Sequence, residues 1–299
     1  MYSRVERGAI DSTRIQFNGD STSITDSTPE TIYFADIIKN DPASDRSLSL
    51  DDWIRIYHDV NGKKIYYFRQ NLGGAKFGPS TTFDTGMVCP PGAAHAFGDF
   101  NNDGLDDFFC IKDGAEVSVS LNRGGSPPEF ESFGVVVPRT NTGLTSASAR
   151  IADIDGDGRA DFCLVGSAAP VYCSRNAGQG DKYSWQGFST VDGIRGTVFD
   201  KALPESGIMF RSGDINGHYR SDLLSVGANG NVQTWINNGG RGSGIVPDWV
   251  SAGLTHQGTP YSGNQNNVKF GKVYGSGRLD YIWLKKEADY YDVLAYEVC

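Results

Sequence analysis

The chain has 299 residues, of which 38 are glycine, and its formal net charge at pH 7 is −9. This acidic balance excludes a nucleic acid or an anionic membrane as partner, since both need clustered Lys and Arg. No segment has the roughly 18 apolar residues of a membrane span, and the N-terminus lacks the apolar run of a signal peptide, so the sequence predicts neither. Frequent glycines and the lack of a helical period predict short strands in an all-β fold.

A repeated pattern organises the chain from about residue 31 onward. Each copy has a short apolar run followed by a polar loop, as in FGDFNNDGLDDFF and IADIDGDGRADF. The residues that begin these loops recur about 54 to 63 positions apart: Asp36, Asp99, Asp153, Asp214 and Lys272. A period of this length predicts a propeller or another repeat array.

Each copy contains four candidate strands, one before the polar loop, one after it and two more separated by Asn and Gly turns. Four-stranded sheets of this kind form propeller blades, which pack face to face and bury alternating apolar residues. The residues expected to be buried in this way are Phe108, Cys110, Phe162, Leu164, Leu223, Ile282 and Leu284. We therefore predict a single β-propeller domain over residues 1–299 with five blades; part of a seven-bladed ring is the alternative.

The repeat units span about residues 31–88, 89–145, 146–203, 204–260 and 261–299. The last unit ends after its third strand, whereas the segment STRIQFNG, within residues 10–20, precedes the first unit. We expect this segment to supply the missing outer strand and to close the last blade. Such closure removes unpaired strand edges, which otherwise promote aggregation.

Two of the polar loops have the composition of a calcium site. From Asp99 to Asp107, oxygen-bearing side chains occupy loop positions 1, 3, 5 and 9, a glycine occupies position 6, and position 7 can offer its carbonyl oxygen. Hard oxygen ligands around a glycine that tolerates positive φ fit Ca²⁺, whereas Mg²⁺ prefers to keep several waters. The loop from Asp153 to Asp161 has four carboxylates against three, so we expect it to bind Ca²⁺ more tightly.

An EF-hand begins in the same way but needs a Glu at position 12 and flanking helices. Cys110 and Leu164 occupy that position within β-rich runs, so the pattern favours a calcium-stapled β-hairpin. A solvated Asp/Asn/Gly turn is the alternative, because these residues favour turns in any case. A calcium hairpin predicts that Asp157→Ala lowers stability more than Asp222→Ala, whose loop has lost ligand positions.

The other three loops are degraded copies. An insertion follows Asp36, and the loop after Asp214 has His218 and Tyr219 at a ligand position and at the glycine position, respectively. The sequence leaves metal binding at both of these loops open. The last loop keeps only Asp280.

The strings FGDFNNDGLDDFF and IADIDGDGRADFCLV, each followed by strands that end in Asn and glycines, resemble the FG-GAP/VCBS repeat family. That family is known from integrin α-chain heads, fungal propeller lectins and modules of secreted microbial enzymes. The resemblance covers nearly the whole chain from about residue 31, and it implies a β-propeller with Ca²⁺ between the first two strands of a blade. The ligands it implies here are Asp99, Asn101, Asp103, the Leu105 carbonyl and Asp107, then Asp153, Asp155, Asp157, the Arg159 carbonyl and Asp161.

Binding is favoured over catalysis. The chain has four histidines and no GxSxG or HExxH motif, although a triad is recognised only by geometry. The resemblance does not imply a single function, because the fold hosts many. Carbohydrate binding, as in the fungal lectins, is the first hypothesis, and adhesion to an extracellular protein or an accessory role in a larger secreted enzyme is the second. A polysaccharide-directed hydrolase or lyase is less favoured.

Aromatic rings can stack on sugars or anchor a protein partner. Trp185 and Trp249 lie in outer-strand segments with polar neighbours, so they are the candidate ligand-binding residues. Trp235 and Trp283 lie in the middle of strands and are expected in the core.

The five cysteines include no CxxC motif and no His at metal-ligand spacing, which argues against a zinc site. Cys163 and Cys173 flank a hairpin turn centred on Ala168 and should lie opposite each other, as a disulfide or as two small buried side chains. Cys299 is the candidate for an unpaired thiol. Paired cysteines and calcium loops suit a secreted, extracellular protein.

Overall fold

The structure, a computed structural model, describes residues 13–14, 16–17, 31–39, 49–58, 63–139, 145–165, 170–178, 184–187, 196–199, 208–210, 219–240, 246–286 and 291–296. Within these ranges the chain is almost entirely β-structure, with short 3₁₀ turns at Ser146–Ser148 and Gln265–Asn267. The strands, in chain order, are β1 (Thr13–Arg14), β2 (Gln16–Phe17), β3 (Ile32–Ala35), β4 (Asp52–His58), β5 (Lys64–Arg69), β6 (Lys76–Phe77), β7 (Thr81–Phe83), β8 (Ala94–Gly98), β9 (Asp107–Ile111), β10 (Val117–Asn122), β11 (Phe130–Val137), β12 (Ala149–Ala152), β13 (Asp161–Val165), β14 (Val171–Asn176), β15 (Trp185–Gly187), β16 (Gly196–Phe199), β17 (Ile208–Phe210), β18 (Leu223–Val226), β19 (Asn231–Gly240), β20 (Pro247–Gln257), β21 (Val268–Gly271), β22 (Asp280–Lys286) and β23 (Tyr291–Tyr296). No helical segment in the described ranges has the length and hydrophobicity needed to cross a membrane.

Five antiparallel sheets in a ring make the described part of the chain a five-bladed β-propeller, which confirms the predicted fold class. Blade 1 consists of β3, β4, β5 and β7, blade 2 of β8 to β11, and blade 3 of β12 to β15 with β16 also paired to β14. Blade 4 consists of β17 to β20, and blade 5 of β21, β22, β23 and β1. A separate parallel pair joins β2 to β6.

The N-terminal strand completes blade 5. Thr13 lies opposite Ala295, so β1 is the outer strand next to β23, as expected for the segment STRIQFNG. Blade 5 in turn contacts blade 1, because the backbone N–H of Asp51 donates to the carbonyl oxygen of Lys272 at 2.9 Å. The contact between the last and first blades closes the ring at five, which excludes the seven-bladed alternative.

Hydrophobic clusters fill the spaces between blades. Among the described residues there is one cluster at every interface, including that between blades 5 and 1, where Phe34 and Trp53 pack with Ile282. An inner strand such as β9 is buried throughout because a blade covers each face, whereas the outer strand β20 is largely exposed. All seven residues predicted to be buried are buried, and so are Trp235 and Trp283.

Two disulfides lie within blades 1 to 3. Cys163 and Cys173 are directly opposite in the hairpin of β13 and β14, as the sequence predicted, and they are bonded, which is one of the two alternatives that the sequence left open. Cys89 and Cys110 form a second disulfide across a separation of 21 residues, which no hairpin signal in the sequence indicated. Cys299 lies outside the described residues.

Candidate metal centre

The two acidic loops connect the first and second strands of blades 2 and 3, and each folds around the carboxylate of its first residue. Oδ2 of Asp99 accepts the N–H of Gly104 at 2.9 Å, and Oδ2 of Asp153 accepts the N–H of Gly158 at 2.9 Å. Both glycines are left-handed, with φ of 93° and 85°, as the sequence predicted for position 6. The equal geometry shows that one loop conformation recurs in both blades.

Positions 3 and 5 repeat a second set of hydrogen bonds. In blade 2 the N–H of Asp103 donates to Oδ1 of Asn101 at 3.2 Å, and Oδ1 of Asp103 accepts the N–H of Leu105 at 3.0 Å. The equivalent bonds in blade 3 measure 3.3 and 2.9 Å. These bonds hold alternating side-chain oxygens on the inner side of each loop, which is the arrangement that a cation needs.

Position 9 has a role that sequence reasoning missed. Oδ2 of Asp161 accepts the N–H of Ile154 at 2.9 Å, and its Oδ1 accepts the N–H of Asn176 at 2.7 Å. All five blades carry a buried Asp at this place that accepts a backbone N–H: Asp52, Asp107, Asp161, Asp222 and Asp280. Because blades without the other ligand positions keep this Asp, it clamps the loop whether or not a metal is bound.

A buried asparagine at the end of the third strand joins neighbouring blades. The side-chain amide of Asn176 donates to the carbonyl oxygen of Phe100, in the loop of blade 2, at 2.9 Å. The residues that make this contact are Asn71, Asn122, Asn176 and Asn237. Sequence reasoning noted an Asn before the glycines of each unit but treated it as part of a turn.

The carboxylates of blade 3 meet the geometric requirement for a metal ligand set. One oxygen each from Asp153, Asp155 and Asp161 lie within 4.8 Å of one another. Two oxygens that bind one Ca²⁺ at about 2.4 Å cannot lie farther apart than about this distance. Burial, and secondarily Asp155, raise the pKa of Asp153 to about 8, because charged carboxylates repel at close range without a cation. The donor set therefore fits Ca²⁺.

Blade 2 has three carboxylates and one amide at the expected ligand positions, but its carboxylates, all among the described residues, do not form a group with oxygens within 4.8 Å of one another as those of blade 3 do. The side-chain amide of Asn101 donates to Oδ2 of Asp103 at 2.9 Å, which brings these two expected ligands together. Burial raises the pKa of Asp107 well above its ordinary value, and the nearby Asp99 and Asp103 add to the increase. A cation among these groups would favour their ionised forms.

The two candidate sites are joined directly. The guanidinium of Arg159, in the blade 3 loop, donates to the carbonyl oxygen of Asn101 at 2.7 Å. The side-chain amide of Asn102 donates to the carbonyl oxygen of Asp157 at 3.2 Å. The backbone carbonyls of Leu105 and Arg159 remain predicted ligands.

Arg175, on β14, is a charged neighbour of the blade 3 loop that sequence reasoning missed. Its Nε contacts Oδ2 of Asp155, and its Nη2 lies 3.0 Å from Oδ2 of Asp157. Burial and Asp155 raise the pKa of Asp157, whereas Arg175 and Arg159 oppose the increase. The loop with four carboxylates thus has a cation of its own.

A second acidic group lies where blades 1 and 2 meet. The backbone N–H of Asp36 donates to Oδ2 of Asp106 at 3.0 Å. Burial raises the pKa of Asp36 to about 9, and Asp106, Asp51 and Asp52 add to the increase, whereas Lys272 opposes it.

In the degraded loop of blade 4, Tyr219 takes the left-handed conformation of the missing glycine, and Asp214 and His218 lie outside the described residues.

The two tryptophans expected at the surface pack between blades. Trp249 is 8% exposed, belongs to the cluster between blades 3 and 4, and donates from Nε1 to the carbonyl oxygen of Val198. Trp185 is half-buried against the cluster between blades 2 and 3 and makes the same kind of bond to Val136. The polar sequence neighbours of these tryptophans indicated surface positions, but each indole reaches inward to the neighbouring blade.

Residues 99–164 match a protein family described as FG-GAP-like repeat. The matched segment contains both candidate metal loops, which confirms the resemblance drawn from the sequence. The protein is thus a five-bladed β-propeller in which residues 99–164 are similar to the FG-GAP-like repeat. None of the curated proteins matches the chain.

Several solved structures are similar in fold. A lectin from Agrocybe aegerita, described for specific recognition of non-reducing terminal N-acetylglucosamine, is 21% identical with a TM-score of 0.47 over 85% of this chain and 60% of the lectin chain. The TcdB2–TccC3 protein is 15% identical with a TM-score of 0.43, over 91% of this chain and 16% of that one. TcdB2–TccC3 without its hypervariable C-terminal region is 13% identical with a TM-score of 0.47, over 92% and 14%. The chain therefore spans less than two thirds of each of these proteins.

Proposed function

We propose that the chain is a calcium-stabilised binding module of a secreted protein and that its ligand is a carbohydrate. The observation that carries the calcium proposal is the group of oxygens from Asp153, Asp155 and Asp161 within 4.8 Å of one another. The residues that would hold Ca²⁺ are Asp99, Asn101, Asp103, the Leu105 carbonyl and Asp107 in blade 2, and Asp153, Asp155, Asp157, the Arg159 carbonyl and Asp161 in blade 3. Calcium would supply charge neutralisation and cross-bracing there.

The proposed extracellular setting is supported by two disulfides, Cys89–Cys110 and Cys163–Cys173. Disulfides persist in oxidising compartments and are rare in reducing ones. Extracellular modules also bind Ca²⁺ with modest affinity, at dissociation constants of about 10⁻⁴ to 10⁻³ M. Both features suit the same environment.

The carbohydrate proposal is supported by aromatic rings at the surface. Tyr219 is 59% exposed and Tyr172 is 39% exposed. A tyrosine combines an apolar ring face with a polar hydroxyl, which is the combination that stacks on a sugar and hydrogen-bonds to it. These rings take the place of Trp249, whose face is buried between blades.

A glycan array, probed with and without Ca²⁺, tests this function. We expect retention of one glycan class and loss of that retention in Tyr219→Ala or Tyr172→Ala. Val88→Ala is the matched control, because Val88 is a 91% exposed side chain without a ring. A blank array under both conditions would overturn carbohydrate binding.

One observation favours a protein ligand as the second candidate. The outer strand β20 is 11 residues long and exposes the side chains of Val250 and Leu254. An exposed strand edge can add a strand from another chain. An array of extracellular proteins tests this candidate: Val250→Lys is expected to abolish capture, and unchanged capture would contradict binding at β20.

A further inference from the structure

The ion pairs of Arg175 set the blade 3 loop apart from the blade 2 loop. Nε of Arg175 contacts Oδ2 of Asp155, a side chain that is only 7% exposed, and Nη2 lies 3.0 Å from Oδ2 of Asp157. Arg175 itself is 23% exposed in its side chain, so water screens these pairs only in part. Two of the four carboxylates expected to bind Ca²⁺ in this loop therefore already contact a cation.

Arg175 directly precedes the asparagine that joins neighbouring blades, and the residue at this position is uncharged in the other three blades that have this asparagine. The residue is Gln70, Leu121, Arg175 and Ile236 in blades 1 to 4. Leu121 is buried, at 1% exposure. Of these four residues only Arg175 is a cation, and it is paired with two carboxylates of its own blade's loop.

The extra cation accompanies an extra anion. Position 3 is Asn101 in blade 2 and Asp155 in blade 3, and the residue before the asparagine is Leu121 in blade 2 and Arg175 in blade 3. Counted over loop positions 1, 3, 5 and 9 and the residue before the asparagine, the side chains of both loops carry a formal charge of −3. The added carboxylate is thus balanced within the protein.

We propose that Arg175 is a built-in counter-cation that sets the calcium affinity of the blade 3 loop, and this inference rests on the proposed calcium binding. Ca²⁺ needs the oxygens of Asp155 and Asp157, and the guanidinium competes for them with both its charge and its directional hydrogen bonds. The blade 3 loop therefore does not gain affinity over the blade 2 loop from its fourth carboxylate. This removes the difference in affinity that the count of carboxylates predicts.

Calorimetric titration with Ca²⁺ alone tests the role of Arg175. The background variant Asp103→Ala removes a ligand from the blade 2 loop, so the titration reports mainly on blade 3. In this background Arg175→Leu, which reproduces Leu121, is expected to bind Ca²⁺ about tenfold more tightly, equivalent to about 1.4 kcal/mol. Arg175→Leu is also expected to lower Tm in chelator, because Asp155 and Asp157 then lose the guanidinium that contacts them, and to gain more in Tm from Ca²⁺ than the parent.

Two further variants control for indirect effects. Lys112→Leu removes another cation that is paired with a carboxylate, Glu116, in the turn between β9 and β10. It changes the net charge equally and is expected to leave the calcium affinity unchanged. Arg175→Leu combined with Asp155→Asn reproduces Leu121 and Asn101 of blade 2. This double variant keeps the charge of the loop balanced, so it is expected to stay folded if Arg175→Leu alone unfolds the protein.

The outcomes separate this inference from the proposed function. Equal calcium affinity with and without Arg175, together with an equal loss of Tm in chelator and in Ca²⁺, would assign Arg175 a purely structural role and overturn the inference alone. Calcium binding that appears only after Arg175→Leu would support it. If neither the parent protein nor Arg175→Leu binds Ca²⁺, both the inference and the calcium-binding proposal are wrong.

Discussion

The side-chain amide of Asn71 donates to the carbonyl oxygen of Val273, 202 residues away, at 3.3 Å. The same amide donates to the carbonyl oxygen of Asp51 at 3.0 Å, and Oδ1 of Asn71 accepts the N–H of Gly73 at 2.9 Å. One buried side chain thus fixes its own turn and joins the first blade to the last. It closes the ring with the contact that Asn122, Asn176 and Asn237 make elsewhere.

Asn71→Ala is expected to lower the free energy of unfolding by about 3 kcal/mol, because it removes three hydrogen bonds of a buried side chain at about 1 kcal/mol each. Urea denaturation measures the change. Asn229→Ala is the control, since Asn229 is exposed in a turn and its side-chain oxygen accepts the N–H of the nearby Asn231. Equal effects of the two variants would contradict the role of Asn71 in closing the ring.

Asp222→Ala is expected to lower stability more than Asp157→Ala when calcium is chelated. Asp222 is buried, and its Oδ1 accepts the N–H of Asn237 at 2.8 Å, so its loss removes a buried acceptor at a cost of about 2 kcal/mol. The side chain of Asp157 is 25% exposed, and its ion pair with Arg175 contributes less.

This order is the reverse of the one predicted from ligand counts. Thermal unfolding in EDTA checks it, with the exposed Asp113→Ala as the control. In saturating Ca²⁺ the loss from Asp157→Ala is expected to grow, because the variant then also loses bound metal. An equal loss from Asp157→Ala in both buffers would argue that Asp157 is not a ligand.

Chelation is expected to lower the Tm of the parent protein. The acidic loops of blades 2 and 3 repel internally without a cation, and a ligand that binds only the folded state stabilises by about 2.7 kcal/mol at a hundredfold excess over its dissociation constant. Differential scanning calorimetry in EDTA and in Ca²⁺ measures the shift. Superposable melting curves would remove the basis for the calcium proposal.

Stability is expected to decrease as the pH is lowered, because of His95. Burial, then the nearby Lys64 and His58, lower the pKa of His95 to about 3 in the folded protein. The unfolded chain binds this proton near pH 6.5, so the stability is full above that pH and decreases by about 1.4 kcal/mol per unit below it, until the folded form titrates near 3.

Urea denaturation at pH 7 and at pH 5.5 tests the contribution of His95. His95→Gln is expected to reduce the difference between the two values. Asn229→Ala is the control, because Asn229 is exposed in a turn and does not titrate. If both variants keep the full pH dependence, the histidine is not its source.

Each disulfide is expected to contribute about 3 kcal/mol to stability, because it restricts the conformations of the unfolded chain. The bonds Cys163–Cys173 and Cys89–Cys110 close loops with sequence separations of 10 and 21, so the second contributes slightly more. Replacement of both cysteines of either pair by Ala, followed by thermal unfolding, measures these values. Unchanged Tm in both double variants would contradict the pairing.

The sequence by itself determined the features that depend on local pattern. The repeat period predicted the blades, and the alternation of apolar residues placed Phe108 and Ile282 in the core. The spacing of Asp and Gly predicted the loop with its left-handed Gly104 and Gly158. The equal arms of one hairpin predicted that Cys163 and Cys173 lie opposite each other, where the structure has a disulfide. Each of these follows from residues close in sequence, whose geometry is set by turns and strand register.

Only the tertiary structure decided which groups meet across blades. Asn71 and Val273 belong to opposite ends of the chain, and Arg175 reaches a loop about 20 residues earlier only because β14 returns beside it. The indole of Trp249 lies in the core because the neighbouring blade presents the carbonyl of Val198. The sequence repeat determines which strands and turns each blade contains. The contacts between blades depend on how the ring closes, and no local sequence pattern specifies contacts between residues so far apart in the chain.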